Sequence, residues 1–416
     1  GAGPRRQALA ALCVTEIASY GVIYYAFPVL ATHIAAGTGW SRAAVTAAYS
    51  AGNLAGAVAG IPVGRLLQKY GPRPVMTAAG VLGAVSVAGI AAAPSYGWFT
   101  AAWLAAGIAS AGLFYPPAFA ALTGWYGPQR VRALTTLTLA AGFASTIFAP
   151  LASALAAHLS WRGTYLTLAA VLAVTIPAHA LFLRPAWTRW GDSRAPEGGR
   201  DRQVLASRAF LQMTAAGTLC AFAQYAALVN LVPLLEGRGL SASLAAWGLG
   251  LGGAGQVAGR LCYRSLAASR LGTRGRTAAI IAAGGAATLL LGLLPGPAAL
   301  LVAVSVIAGA VRGVFTLTEA TLVSDYWGPD RYAVLNGVFN APLVAAGAIA
   351  PAAGAGIAAA AGSYPALFAV LAVTAAVGAT LAASAPSPDS RAKAPGTSGS
   401  VREPRGELPD TATELG

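Results

Sequence analysis

The chain has 416 residues, of which 56% are hydrophobic and only 10% are charged. Soluble domains carry about 25% charged residues, so a water-soluble globular protein is excluded. A formal net charge of +14 invites a nucleic-acid partner, but the basic residues follow the positive-inside pattern of a membrane protein instead.

Three blocks hold no charged residue: Pro74–Gln129, Thr277–Val311 and Tyr332–Pro388. Each is too long for one buried helix. Turns such as Pro94-Ser-Tyr-Gly97 and Pro295-Gly-Pro297 cut them into pieces of about 20 residues, the length that spans a bilayer. In chain order the pattern predicts twelve spanning helices, at about 8–33, 43–67, 74–93, 97–119, 132–158, 163–183, 207–235, 242–266, 276–294, 298–322, 332–360 and 365–384. The first contains Glu16 and is followed by further spans, so it is no cleavable signal peptide; the absent initiator Met suggests a trimmed start. Expected domains are a six-helix bundle over 1–183, a cytoplasmic loop rich in Arg, Gly and Pro over 184–206, a second six-helix bundle over 207–384, and a disordered cytoplasmic tail over 385–416.

Of the 27 Lys and Arg residues, 22 fall on one side of this topology and three (Arg42, Arg162 and Arg238) on the other, with Arg260 and Arg312 inside helices. That bias places both termini in the cytoplasm of a multi-pass protein of the cell membrane, with the lipid bilayer as its surroundings and no nucleic-acid partner. Cys13, Cys220 and Cys262 all lie in predicted helices and read as small apolar residues, with no disulfide framework, metal site or cofactor.

The second half repeats the first. Trp125-Tyr-Gly-Pro-Gln-Arg130 returns as Tyr326-Trp-Gly-Pro-Asp-Arg331, Ala149-Pro150 as Ala350-Pro351, and Gly112 and Phe114 as Gly313 and Phe315, each at an offset of 201. Gly39-Trp-Ser41 returns as Gly239-Leu-Ser241 at 200. Two halves related by an axis along the membrane normal imply a substrate site between them near the midplane.

Predicted helix 2 carries Gly52, Gly56, Gly60 and Gly64 at i, i+4 spacing. This is a packing stripe that lets a partner helix approach closely, and a smooth face on which the halves could rock. It leads into Gly64-Arg-Leu-Leu-Gln-Lys-Tyr-Gly-Pro-Arg73, which resembles the loop motif Gly-x-Leu-x-Asp-Arg-x-Gly-Arg-Arg of the major facilitator superfamily. Gly64, Leu66, Gly71 and Arg73 match, and Lys69 keeps a basic charge. Gln68 stands where the family has the Asp that helps latch its halves, and Pro72 where it has a basic residue. A decayed copy in the second half retains Arg270, Gly272 and Arg274. The resemblance covers essentially Arg5 to Ser384 and implies the superfamily fold, two pseudo-symmetric six-helix bundles.

A narrower likeness rests on Tyr20-Gly-Val-Ile-Tyr-Tyr-Ala-Phe-Pro-Val29, Gly39-Trp-Ser-Arg42, Gly71-Pro-Arg-Pro-Val-Met76 and Ser160-Trp-Arg162. These resemble the monocarboxylate and oxalate/formate porter branch, which moves small organic anions, often with a proton. The likeness extends to an intramembrane Arg on helix 8, here Arg260; Gln256 stands where some members have an acid.

Charges deep in a spanning helix are costly and usually face a bundle interior or a water-filled cavity. Arg312 and Glu319 lie seven residues apart on predicted helix 10, hence on one face and about 10 Å apart. Arg312 could bind a substrate carboxylate bidentately or pair structurally with Glu319 or Glu16. Arg260 could join it, or snorkel to the near interface. Glu319 and Glu16 are candidates for proton coupling, the alternative being static ion pairs. Tyr20 and Tyr24 follow Glu16 at i+4 and i+8 on one face; Gln224-Tyr225 repeats Tyr24-Tyr25; Tyr115, Asn53 and Asn340 add hydrogen-bonding groups. Each of these lines a cavity or packs between helices. His33, His158 and His179 fall near helix ends, where solvated rings are expected. Arg312 and Glu319 replace Ala111 and Ala118 of the first half, so an asymmetric site is expected, with charge from one half.

No HExxH, phosphate-binding loop or GxSxG elbow occurs, so no enzyme is indicated, and the absence of an ATP-binding module favours secondary transport. The leading reading is a monomeric secondary transporter of a small, monocarboxylate-like organic anion, working by alternating access as a proton symporter. The alternatives are a proton-antiport exporter of amphipathic drugs or metabolites, against which helix 4 lacks the exporter's Arg, and a non-transporting receptor or scaffold, which would leave the buried charges without purpose.

Overall fold

The computed structural model describes residues 2–187, 198–329 and 332–387, and these form helices joined by short turns. Much of the tail expected over 385–416, and part of the loop expected over 184–206, lie outside the described residues; within the latter the chain forms a short helix, Gly198–Leu205.

The spans α1–α12 follow in order. α1 comprises Ala2–Ser19, a π-helical turn Tyr20–Tyr25, and Ala26–Thr38. α2 is Arg42–Tyr70 and α3 Pro72–Ala91. α4 is split into Tyr96–Ala111 and Tyr115–Tyr126, α5 into Arg130–Ala141 and Phe143–His158, and α6 into Trp161–Ala173 and Thr175–Phe182. α7 consists of Arg208–Val229 and Leu231–Gly237. α8 is Ala242–Ala267, α9 Thr273–Leu293, α10 Ala298–Trp327, α11 Tyr332–Ala361 and α12 Tyr364–Ser384.

Among the described residues nine helices are long and apolar enough to cross a membrane, or ten with the bent α7 as one span. The remaining two of twelve have clear reasons. One counted run of 63 residues, Tyr96–His158, would extend about 95 Å as a helix, three bilayer cores; it holds both α4 and α5. α8 is long enough, but its glycines and Arg260 and Arg264 lower its hydropathy.

Three of the breaks lie at prolines. Pro28 has no N–H for the Tyr24 carbonyl, and the π turn lies just before it. Pro116 and Pro117 lie in the first turn of the second piece of α4, where proline fits, and the capping residue Phe114 is extended. The equivalent positions of α10 are Leu317 and Thr318, and α10 runs unbroken. Pro233 sits where α7 bends by 50°, the usual cause of a sharp kink.

The repeat is visible in the turns. Gly39 and Gly239 both have positive φ, 75° and 86°, as glycine alone adopts cheaply. Ser41 and Ser241 then cap the next helix by accepting from the amides of Ala44 and Leu244 at 3.1 and 3.3 Å.

Two buried apolar clusters position everything else. One lies wholly in α1–α6, around Phe27, Phe99, Trp103 and Tyr165. The other runs from Leu12, Leu67, Leu122 and Leu134 of the first half into Phe210, Leu322, Tyr332 and Phe339 of the second. The first-half members of this shared cluster sit near the helix ends that carry Arg5, Arg73 and Arg130. The halves are thus fused at the arginine-rich end, through α2 against α11 and α5 against α8 and α10.

The glycine stripe of α2 divides its work. Gly52 and Gly56 pack on Trp103 and Gly107 of α4, whereas Gly64 meets Ala333 and Gly337 of α11 in the other half. Only its arginine-rich end is a face between halves. His179 corrects an expectation: instead of being solvated, its ring is fully buried and its Nδ1 lies 3.2 Å from the Met76 carbonyl, because the last turn of α6 packs against α3.

Candidate functional site

Two guanidinium groups are brought together by glycines beside them in sequence. Gly259 precedes Arg260 and abuts Ala310; Gly313 follows Arg312 and abuts the Gln256 backbone. This seam lets α8 and α10 approach closely and places Arg260 and Arg312 within electrostatic reach of each other and of Tyr25 on α1.

Arg260 does not snorkel. It is only 6% exposed, and its Nη1 donates to the Thr138 carbonyl of α5 at 2.6 Å. The guanidinium lies beside Gly142, where an added Cβ would stand 3.4 Å from Nη1, and within reach of the Tyr115 hydroxyl. It therefore crosses from the second half to the first.

Arg312 is half-buried and forms no ion pair with Glu319 or Glu16 among the described residues. Its neighbours are Tyr25, Tyr225 and Arg260. Tyr225 repeats Tyr25 in sequence, so one tyrosine from each half flanks the cation. Placing an arginine at the centre of a spanning helix costs roughly 2.5–3.5 kcal/mol, and no described carboxylate offsets that cost here.

The acids stand apart from the bases. Glu16 is fully buried, and neither carboxyl oxygen has a hydrogen-bond partner; Cys13, Tyr20 and Tyr115 surround it. Glu319 neighbours Cys220, Tyr225 and Tyr332. Tyr20 stacks on Phe114 at 4.0 Å and leans on Tyr115 at 4.9 Å, while Tyr24 packs edge-on to Tyr25 at 5.1 Å. Gln224 gives a hydrogen bond to Cys220 Sγ at 3.1 Å. Asn340 is drawn away from the others: it is buried and gives its amide to Asn336, one turn back on α11. Asn53 reaches the Tyr49 hydroxyl.

In the loop motif, Gly71 takes φ 82° so that α3 can start immediately after α2. Arg73 donates to the Ala180 carbonyl at 2.8 Å, Lys69 lies over the Tyr70 ring, and the Gln68 carbonyl accepts from Trp187. Two functional residues escaped the sequence. Tyr25 did so because the π turn rotates the face that a regular helix would present; its pairing with Tyr225 in the repeat was the available signal. Asp325 did so because α10 was expected to end at 322, yet it continues to Trp327 and its carboxylate binds Arg130 and Arg276.

A family model described as the Major Facilitator Superfamily matches residues 12–299, and the chain belongs to that superfamily of membrane transporters. It is 29% identical over 255 residues to monocarboxylate transporter 11 of Homo sapiens, covering 58% of this chain and 52% of that protein. The chain thus spans about half the length of the curated relative it matches.

The fold is similar to that of the E. coli fucose:proton symporter FucP, at 16% identity and a TM-score of 0.67 over 90% of this chain and 97% of that one. FucP in the outward conformation gives 17% and 0.69 over the same shares. The human organic anion transporter MFSD10 (TETRAN) gives 17% and 0.69 over 91% of this chain and 99% of that one. The chain is therefore a multi-pass membrane protein with the fold of these secondary transporters.

Proposed function

We propose that the protein moves a small, monocarboxylate-like organic anion across the cell membrane by alternating access, in symport with protons. The observation that carries this is Arg312, a cation without an anionic partner among the described residues, set beside Arg260 and between tyrosines of both halves. A guanidinium fork matches a carboxylate bidentately, and an anion bound there would relieve the repulsion between the two arginines. The curated relative is named a monocarboxylate transporter, which agrees.

In this reading the arginine-rich end, with both termini, faces the cytoplasm, and the seal there makes this the outward-facing state. The halves, 1–183 and 207–384, rock about the site, and one chain suffices. Glu16 and Glu319, which form no ion pair among the described residues, are the proton carriers.

Purified protein in liposomes with an imposed pH gradient and labelled short carboxylates tests this. Arg312→Gln is expected to abolish anion uptake with the protein still folded. Uptake at the parent's rate would overturn the assignment.

A further inference from the structure

A pocket of about 490 Å³, including its mouth, lies between α7, α8, α9 and α10, inside the second half rather than between halves. Arg312 and Gln224 line one part of it, and Leu231, Leu249 and Leu291 line another. Ser305, on the same wall as Arg312, is seven residues away along α10, or about 10 Å.

The hydroxyl donors of this lining are already used, and Gln224 has used one of its two. Gln224 bonds to Cys220, Thr288 to the Gly284 carbonyl at 2.9 Å, and Ser305 to the Leu301 carbonyl at 2.9 Å. Gln224 keeps a second amide hydrogen and its amide oxygen, so it and Arg312 are the polar groups of a lining that is otherwise apolar or carries hydroxyls already bonded to their own helices. The repeat shows that the space is not a requirement of the fold. Tyr49, which matches the lining residue Leu249 at the repeat offset, carries a ring in the first half that packs on Trp103 at 5.0 Å.

We infer that this pocket receives the apolar tail of the substrate, which is a carboxylate bearing several methylenes or a small ring, with its charged end on Arg312. This rests on the anion reading above and narrows its substrate class. A mostly apolar lining with one or two placed polar groups is the usual form of a small-ligand site. Gly284 sets the width: a Cβ there would stand 3.5 Å from Val311 and 3.7 Å from Gln224, an ordinary fit that takes up pocket space without a clash.

The test is a series of straight-chain acids from propionate to hexanoate, competing for uptake into liposomes that hold the whole protein. In the parent, each added methylene is expected to lower the half-saturation concentration about fourfold. Gly284→Val is expected to bring hexanoate and propionate within about threefold of each other, with Gly284→Ala intermediate. Gly253→Ala, whose added methyl meets nothing within 4 Å, keeps the parent's series and controls for folding. A flat series in the parent, or a Gly284→Val series as steep as the parent's, would overturn the tail pocket while leaving the anion site standing. Propionate uptake that survives Arg312→Gln would instead remove the anion site itself.

Discussion

Asp325 of α10 accepts from Arg130 Nη2 of α5 at 2.6 Å, and its other oxygen takes Arg276 of α9 at 2.8 Å. One carboxylate thus ties the two halves at the arginine-rich end. The loop motif after α2 has Gln68 where the superfamily pattern has Asp, and here an ionic tie between the halves is made at Asp325. Arg276 is only 6% exposed, and with Arg130 it gives Asp325 a donor for each oxygen.

Asp325→Asn removes the charge and leaves two cations facing each other. Breaking a partly buried pair of this kind is expected to cost about 1–2 kcal/mol, enough to shift a two-state balance roughly 5- to 30-fold toward opening at this end. Spin labels at the arginine-rich ends of α2 and α11 would read the shift as a longer distance. An unchanged distribution in Asp325→Asn would mean that the shared apolar cluster holds the end shut alone.

Arg312→Lys separates charge from geometry. Lysine keeps the cation but loses the planar fork, so uptake should persist with a half-saturation concentration raised about tenfold, or about 1.4 kcal/mol. If Lys serves as well as Arg, the site attracts anions by charge alone and bidentate contact is not made.

Glu16 and Glu319 differ in surroundings, and their variants should differ too. Glu16→Gln keeps the shape of a side chain whose oxygens have no partner, so the protein should remain folded. In the parent, uptake should rise as external pH falls, because the co-transported proton is then more abundant. Glu319→Gln and Glu16→Gln should each flatten that dependence if both carry protons. The variant that retains the parent's pH slope identifies the acid that does not.

Much of this was legible in the sequence, and the rest fails for physical reasons. Uncharged blocks and proline-glycine turns mark spanning helices without tertiary information, and the match of Gly39-Trp-Ser41 with Gly239-Leu-Ser241 marked the repeat whose two turns the structure shows to be capped alike. Arg312 and Glu319 were legible as costly charges, but whether they pair was not, since seven residues of helix leave the answer to neighbouring helices. The Tyr20–Tyr25 π turn defeats periodicity, because counting 3.6 residues per turn favours Tyr24 over Tyr25. The tail pocket depends on which side chains four helices withhold, and no single segment records that.

The seam between α8 and α10 makes the last prediction, which concerns stability. Gly56 on α2 shows the cost of losing such contact: an added Cβ would stand 2.6 Å from the Gly107 carbonyl, backbone that cannot step aside. Gly313 and Gly259 meet backbone more closely still. Gly313→Ala should therefore force α8 and α10 apart, lowering the thermal midpoint in detergent and displacing Arg260 from Arg312, so that anion uptake falls as well. Gly250→Ala on α8 meets nothing within 4 Å and gains about 0.5–1 kcal/mol of helix preference, so its midpoint should match or exceed the parent's. Equal midpoints for Gly313→Ala and Gly250→Ala would show that the seam is loose, and that something other than close packing sets the two arginines side by side.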